Sequence, residues 1–204
     1  MNTKKELLKR LEEETKVLQN PLVKKAFEKI DRADFVDGDY VVEAYEDYAL
    51  PTRSGQTISQ PTTMAFMLEL LDAKPGEKVL DIGSGSGWST ALLAEMVGKD
   101  GFVYGVEIEP ELVEMGKANL KKYPELKAQI SKAGEGIGFP QKFLYDRILV
   151  NAAATEIPEA ILGQLDIGGV LVIPVNDILT RVSKISEDKI EKKEFPGFLF
   201  GPLV

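Results

Sequence analysis

The chain has 204 residues, 44% of them hydrophobic and 28% charged, with a formal net charge of −8, values typical of a globular domain. It contains neither cysteine nor histidine, which excludes disulfides, thiolate nucleophiles, histidine-based triads and histidine-ligated metals. The acidic balance argues against a nucleic-acid backbone as the main partner. No apolar run nears the roughly 18 residues of a membrane span and the N-terminus lacks the apolar core of a signal peptide, which predicts a cytoplasmic protein with no membrane partner.

Leu7, Leu8, Leu11 and Leu18, set among charges, predict an amphipathic helix over residues 4–18, with Glu12, Glu13 and Glu14 on its solvated face. After Asn20 and Pro21, Val23, Phe27 and Ile30 continue at helical spacing. Residues 31–60 then lose periodicity and become rich in acids, tyrosines and turn formers. A loop of this length is functional or disordered, and its aromatic content predicts an ordered cap in which Tyr40, Tyr45 and Tyr48 pack. Met64, Met67, Leu68 and Leu71 predict a helix from Thr62 that ends near residues 72–76.

Strands are predicted near 78–82, 102–107, 127–131, 146–151 and 169–174, and helices near 88–97, 110–122 and 157–165. The link 132–145 is too short and glycine-rich for a helix. Such alternation implies a parallel sheet with right-handed crossovers. Residues 181–185 and 189–195 flank Glu187-Asp188 as a hairpin, and 198–200 read as a last strand. The expectation is an α/β fold: a Rossmann-like, doubly wound, mostly parallel sheet with a C-terminal antiparallel hairpin and an N-terminal helical cap. It would form a single domain over 1–204, with cap and lid over 1–60 and core over 61–204.

The most informative run is Val79-Leu80-Asp81-Ile82-Gly83-Ser84-Gly85-Ser86-Gly87, an apolar strand ending in three alternating glycines and leading into the helical pattern from Trp88. Glycines in a strand-to-helix turn accept positive φ and let backbone approach a ligand, while free N–H groups of the following helix point above the strand. A dinucleotide fingerprint places its third glycine three residues after the second, whereas here the interval is two and Asp81 precedes Gly83 by two. This D-x-G-x-G-x-G form resembles the first motif of class I S-adenosylmethionine-dependent methyltransferases. Glu107, twenty residues beyond Gly87 at the end of the next strand, is placed for a carboxylate to accept hydrogen bonds from ribose hydroxyls, with Ile108 beside it. A plain tight turn, and a solvated helix entry at Glu107 before Glu109-Pro110, are the bland alternatives. Trp88 packs at the helix start or touches the cofactor.

Tyr45-Glu46-Asp47-Tyr48-Ala49-Leu50-Pro51, followed by Gly55-Gln56-Thr57-Ile58-Ser59-Gln60-Pro61, resembles the N-terminal signature of protein-L-isoaspartate O-methyltransferases. Tyr145-Asp146-Arg147-Ile148, Asn151-Ala152-Ala153, Ile157-Pro158, Gln164-Leu165, the run from Gly168 to Val175 and Pro202-Leu203 are similar to that family in the same order, over about residues 20–204. The resemblance implies methyl transfer from S-adenosylmethionine to the free carboxylate of an L-isoaspartyl residue in a damaged peptide or protein, by a monomer with no metal. A carboxylate of ordinary pKa near 3.9 is already an ionised nucleophile at neutral pH, so no general base is needed and the missing histidine costs nothing. Catalysis then rests on holding a carboxylate oxygen in line with the sulfonium methyl and excluding water.

By the same resemblance, Ser59 is the catalytic residue, bonding the isoaspartyl carboxylate or the adjacent backbone, while Thr57, Ile58 and Gln60 shape the substrate slot. Asp81, Gly83, Ser84, Gly85, Ser86, Gly87, Glu107 and Ile108 form the cofactor site. Capping of the helix opened by Pro61 is the alternative role of Ser59, although it stands one place early for it. The family's adenine-side acid falls on Gly134 without a gap, or on Glu135 with a one-residue shift. Phe143-Leu144 before Tyr145 and Asn176-Asp177 after Val175 also depart from the family pattern. Two other functions stay open: a methyltransferase of this fold acting on a different carboxylate, and a module that recognises modified protein without transferring methyl groups.

Overall fold

The computed structural model describes residues 3–134, 136, 138, 139, 141 and 143–203. Helix α1 spans Lys4–Glu13, opened by a reciprocal capping box between Thr3 and Glu6. It stops short of the predicted residue 18: the places three and four after Leu11 are the polar Glu14 and Thr15, and Lys16 turns at φ 56°, which breaks the helix before Leu18. Helix α2 covers Pro21–Lys29, with the Asn20 side chain accepting from the Leu22 N–H. Residues 31–60 carry three 3₁₀ turns, at Arg32–Asp34, Gly38–Glu43 and Arg53–Gly55, and an antiparallel ribbon of β1 (Leu50–Pro51) and β2 (Thr57–Ile58). Helix α3 (Pro61–Leu71) follows.

Strand and helix then alternate as β3 (Lys78–Ile82), α4 (Trp88–Val97), β4 (Phe102–Glu107), α5 (Pro110–Leu120), β5 (Ala128–Lys132), β6 (Tyr145–Val150), α6 (Glu159–Leu162) and β7 (Leu165–Val175). Two long strands, β8 (Ile178–Ser186) and β9 (Lys189–Pro196), complete the sheet. Its order is β5-β4-β3-β6-β7-β8-β9, parallel through β7, with β8 and β9 antiparallel. The hairpin turn falls at Glu187-Asp188 as expected.

Other elements also depart from the sequence pattern. The helix expected over 157–165 is only the four residues of α6, because Leu165 already pairs with Tyr145 as the start of β7. Helix α5 ends at Leu120 rather than 122. Residues 198–200 form no strand: a parallel bridge instead joins Pro202 to Ala153.

Side-chain alternation gives the parallel strands two buried faces, as a covered parallel sheet requires. Val79, Leu149 and Val172 face the layer built from α1, α2, α3 and α4, whereas Leu80, Ile148, Val150 and Leu171 face Tyr145, Ile161 and the aromatic residues Phe139 and Phe143. Met67, Leu68 and Leu71 of α3 are fully buried, each contributing about 1.5–3 kcal/mol by removal from water. Among the described residues, no helix is long and apolar enough to cross a membrane.

Candidate active site

The sheet order reverses at β3, with β4 and β5 on one side and β6 and β7 on the other, the position at which open α/β sheets bind ligands beyond their strand ends. A cavity of about 980 Å³ lies there. Its floor is made by residues that follow β3 (83–86), β4 (Ile108 beside Glu107), β5 (Ala133, Gly134) and β6 (Asn151, Ala152). Residues 55–60 form one wall and residues 197–203 another. The latter strap is tied to the sheet by Ala153 N–H donating to the Gly201 carbonyl at 2.7 Å and Leu203 N–H donating to the Ala153 carbonyl at 2.8 Å. Phe198 also stacks on Phe66, 5.4 Å between ring centres.

In the glycine turn, Gly83, Gly85 and Gly87 have φ of 73°, 52° and 89°, which L side chains adopt only at a cost. Nothing stands within 4 Å of where a Cβ on Gly85 would lie, so that position is open toward the cavity. Gly87 does something different. It lies outside the cavity wall, and a Cβ there would sit 3.0 Å from Ile130 Cδ1 and 3.2 Å from the Gly116 carbonyl oxygen. The third glycine therefore lets α4 start against α5.

The buried Glu107 carboxylate links two loops. Its Oε2 accepts from the Gly85 N–H at 2.8 Å, and its Oε1 accepts from the N–H groups of Ile108 (2.8 Å) and Glu109 (3.0 Å). Three of a carboxylate's roughly four lone-pair sites are thus filled by backbone, which fixes the side chain and leaves room for one further strong donor. Asp81 does not line the cavity. It is fully buried beneath the turn and accepts from Ser89 Oγ (2.7 Å), Thr90 Oγ1 (2.5 Å) and Asn151 Nδ2 (2.8 Å). Burial pushes its carboxyl above the ordinary range, against the pull of these three hydrogen bonds.

Thr57, Ile58, Ser59 and Gln60 all line the cavity. Gln60 occupies the N-cap position of α3, and its side chain makes no cap bond. Asp47 does that work from the neighbouring loop, accepting from the Thr62 N–H at 2.9 Å and from Thr62 Oγ1 at 2.6 Å. Ser59 is anchored through its carbonyl by Arg32 Nη2 at 3.0 Å.

Arg32 carried no signal in the sequence, being one basic residue in a charged stretch. It is 2% exposed. Its guanidinium donates to the carbonyls of Ala44, Glu46, Tyr48 and Ser59 at 2.9–3.2 Å and lies 5.3 Å from the centre of the Trp88 ring. Burial lowers its pKa to about 10, with the charge of Asp47 opposing the fall. One side chain thus gathers the cap segment, the Ser59 segment and the start of α4. Trp88 both packs edge-on against Phe27 and lines the cavity.

Of the residues expected at a cofactor site, Gly83, Ser84, Gly85, Ser86, Glu107, Ile108 and Gly134 meet at this cavity. Glu135 lies outside the described residues. Asn151, absent from the sequence-based set, also lines it. Among buried side-chain atoms of the cavity-lining residues, Ser84 Oγ and Asn151 Oδ1 on the floor and Trp88 Nε1 have no hydrogen-bond partner. A native fold rarely leaves such atoms unpaired, and two on one cavity floor point to a polar ligand. No group of three or more metal-ligating side chains occurs among the described residues.

Comparison with known proteins gives a consistent result. A family model described as protein-L-isoaspartate(D-aspartate) O-methyltransferase matches residues 2–204. The chain is 42% identical over 193 residues to the protein-L-isoaspartate O-methyltransferase of Pyrococcus horikoshii, covering 92% of this chain and 87% of the relative. The corresponding figures for the Flavobacterium psychrophilum protein are 44% over 193 residues, 93% and 89%. Among solved structures, a Plasmodium falciparum chain assigned to the same enzymes, in complex with S-adenosyl-L-homocysteine, superposes with a TM-score of 0.87 at 27% identity, covering 100% of this chain and 99% of that one.

Proposed function

This chain belongs to the protein-L-isoaspartate(D-aspartate) O-methyltransferase family and transfers a methyl group from S-adenosylmethionine to the free carboxylate of L-isoaspartyl residues, and we propose that it does so by positioning alone, with Ser59 as the acceptor-side residue. The carrying observation is that Ser59 lines the same cavity as the glycine turn and is held through its carbonyl by the buried Arg32.

The residues present fit the cofactor. The open, positive-φ Gly85, a preorganised Glu107 and the unpaired Ser84 Oγ and Asn151 Oδ1 offer a close backbone cradle with polar partners. S-adenosylmethionine supplies an electrophilic methyl on a positively charged sulfur. Glu107 would take a ribose hydroxyl with its remaining lone pair, Ile108 beside it would line the sugar, and Gly134 or Glu135 would stand on the adenine side. Thr57, Ile58 and Gln60 shape the acceptor slot, where the Ser59 hydroxyl donates to the incoming carboxylate. Residues 31–60 act as the lid of a single domain and exclude water when peptide is present. The chain's charge of −8 is screened beyond about 8 Å at physiological salt, so local donors decide acceptor binding. The same charge disfavours nucleic acid as a partner, and the enzyme is read as a cytoplasmic monomer.

Ser59→Ala tests the assignment. The expected result is a large fall in kcat/KM for isoaspartyl peptide, on the order of 10-fold to 100-fold, with S-adenosylmethionine affinity by calorimetry nearly unchanged. Wild-type turnover would refute the role, and an equal fall in cofactor affinity would move Ser59 to the cofactor pocket.

A further inference from the structure

Asn151 follows β6, and its N–H donates to the Ile82 carbonyl at 2.9 Å, which seats it beside Gly83 at the reversal of the sheet. Its Nδ2 donates to Asp81 Oδ1 at 2.8 Å and to the Ile82 carbonyl at 3.3 Å. A carbonyl cannot donate in return, so the amide orientation is fixed by its partners and the oxygen must be the other atom. That oxygen is buried, unpaired and part of a residue lining the cavity. It is an acceptor waiting for a donor, and the buried carboxylate of Asp81 behind the amide favours a cationic one.

The topology says which donor. Glu107 ends β4 and Asn151 follows β6, on either side of β3, which separates them by about 10 Å at the usual strand spacing. Ribose hydroxyls held at Glu107 do not reach that far. The adenine side lies further away still, past Glu107 at the end of β5, where Ala133 N–H donates to the Glu107 carbonyl at 2.8 Å. The cofactor's remaining donor is the α-ammonium of its methionine part. We infer that Asn151 Oδ1 accepts a hydrogen bond from this ammonium, so that Asp81, which never touches the cavity, acts on the cofactor through the Asn151 amide. Asn151 is then a cofactor-binding residue and Asp81 a positioning residue. A carboxylate at the same place would meet a lone pair backed by an anion and is disfavoured.

The inference rests on the reading that this cavity binds S-adenosylmethionine, and the experiment separates the two. Calorimetry compares wild type with Asn151→Leu, each against S-adenosylhomocysteine, its analogue with the α-amino group replaced by hydrogen, and 5′-methylthioadenosine, which lacks the amino-acid part altogether. For wild type, loss of the amino group should weaken binding on the order of 10-fold to 100-fold, the loss of a charge-assisted hydrogen bond. For Asn151→Leu the two homocysteine ligands should bind within about 3-fold of each other, and both proteins should bind 5′-methylthioadenosine alike. The inference is overturned if the amino group is worth the same factor in both proteins, or if the variant weakens 5′-methylthioadenosine as much as S-adenosylhomocysteine. Asn151→Ser, which is smaller and keeps a polar group, repeats the comparison should the leucine variant not fold. Absence of S-adenosylhomocysteine binding to wild type would instead strike the cofactor reading itself.

Discussion

Gly87 and Gly116 meet back to back: a methyl group added to Gly87 would lie 3.2 Å from both the Cα and the carbonyl oxygen of Gly116, and one added to Gly116 would lie 3.1 Å from the Gly85 carbonyl oxygen. Those neighbours are backbone and cannot move aside cheaply, and Gly87 also holds φ at 89°. Gly87→Ala should therefore destabilise the fold by about 2–4 kcal/mol through combined strain and overpacking. Urea unfolding would measure it. A loss under about 1 kcal/mol would mean that α4 and α5 can slide apart more easily than their packing implies.

Arg32 offers four hydrogen bonds to backbone carbonyls from a buried position. Lysine carries the charge but not the planar fork, so Arg32→Lys should cost about 2 kcal/mol and Arg32→Gln about 3–5 kcal/mol. Because one of the four carbonyls belongs to Ser59, the KM for isoaspartyl peptide should rise more than the dissociation constant for S-adenosylmethionine. Equal changes in the two would show that Arg32 serves the whole cavity and not the acceptor wall.

Glu95 ties α4 to α2 through Lys25 at 2.9 Å and Lys29 at 3.0 Å. Burial pushes its carboxyl up, but the hydrogen bonds and charges of the two lysines more than offset this, and the folded pKa is depressed below the ordinary value of 4.5. A depressed acid contributes stability that is present above its unfolded pKa and lost as pH falls through the folded one. Glu95→Gln should accordingly destabilise by about 1 kcal/mol at pH 7, the lysines being half exposed and screened. The difference should shrink toward zero as pH drops below about 4. Thermal melts of both proteins across that range check it, and a gap that persists at low pH would refute the ionic origin.

The lid assignment for residues 31–60 predicts slower amide exchange there when S-adenosylhomocysteine and isoaspartyl peptide are added together than with either alone. Exchange unchanged by the pair would leave these residues as a fixed wall.

Much of this architecture was legible because its signals are local. Strands such as Val79-Leu80 and Ile148-Leu149-Val150 are apolar on both faces, and the glycine turn and the Glu187-Asp188 hairpin announce themselves within a few residues. The residues that tertiary contacts decide were not legible. Leu165 joins β7 because Tyr145 lies opposite it, a pairing across twenty residues of chain that overrides the local helical pattern. Phe198 and Phe200 read as a strand but find no edge, Phe198 stacking on Phe66 instead. Arg32 and Asn151 matter through burial and through atoms left paired or unpaired, neither of which a residue type announces. Asp81 had the opposite fate: the resemblance implied a place in the cofactor site, and the fold puts it beneath the turn.

The strap of residues 197–203 supplies a wall of the cavity and is joined to the sheet by two backbone hydrogen bonds at Ala153, the Phe198–Phe66 stack and the half-buried side chains of Phe200 and Leu203. A peripheral segment of this kind opens at a smaller free energy than the seven-stranded sheet beneath it. Local release of residues 197–203 would open one wall of the cavity while the sheet stays folded, so ligand binding is expected to fail on warming before the sheet melts.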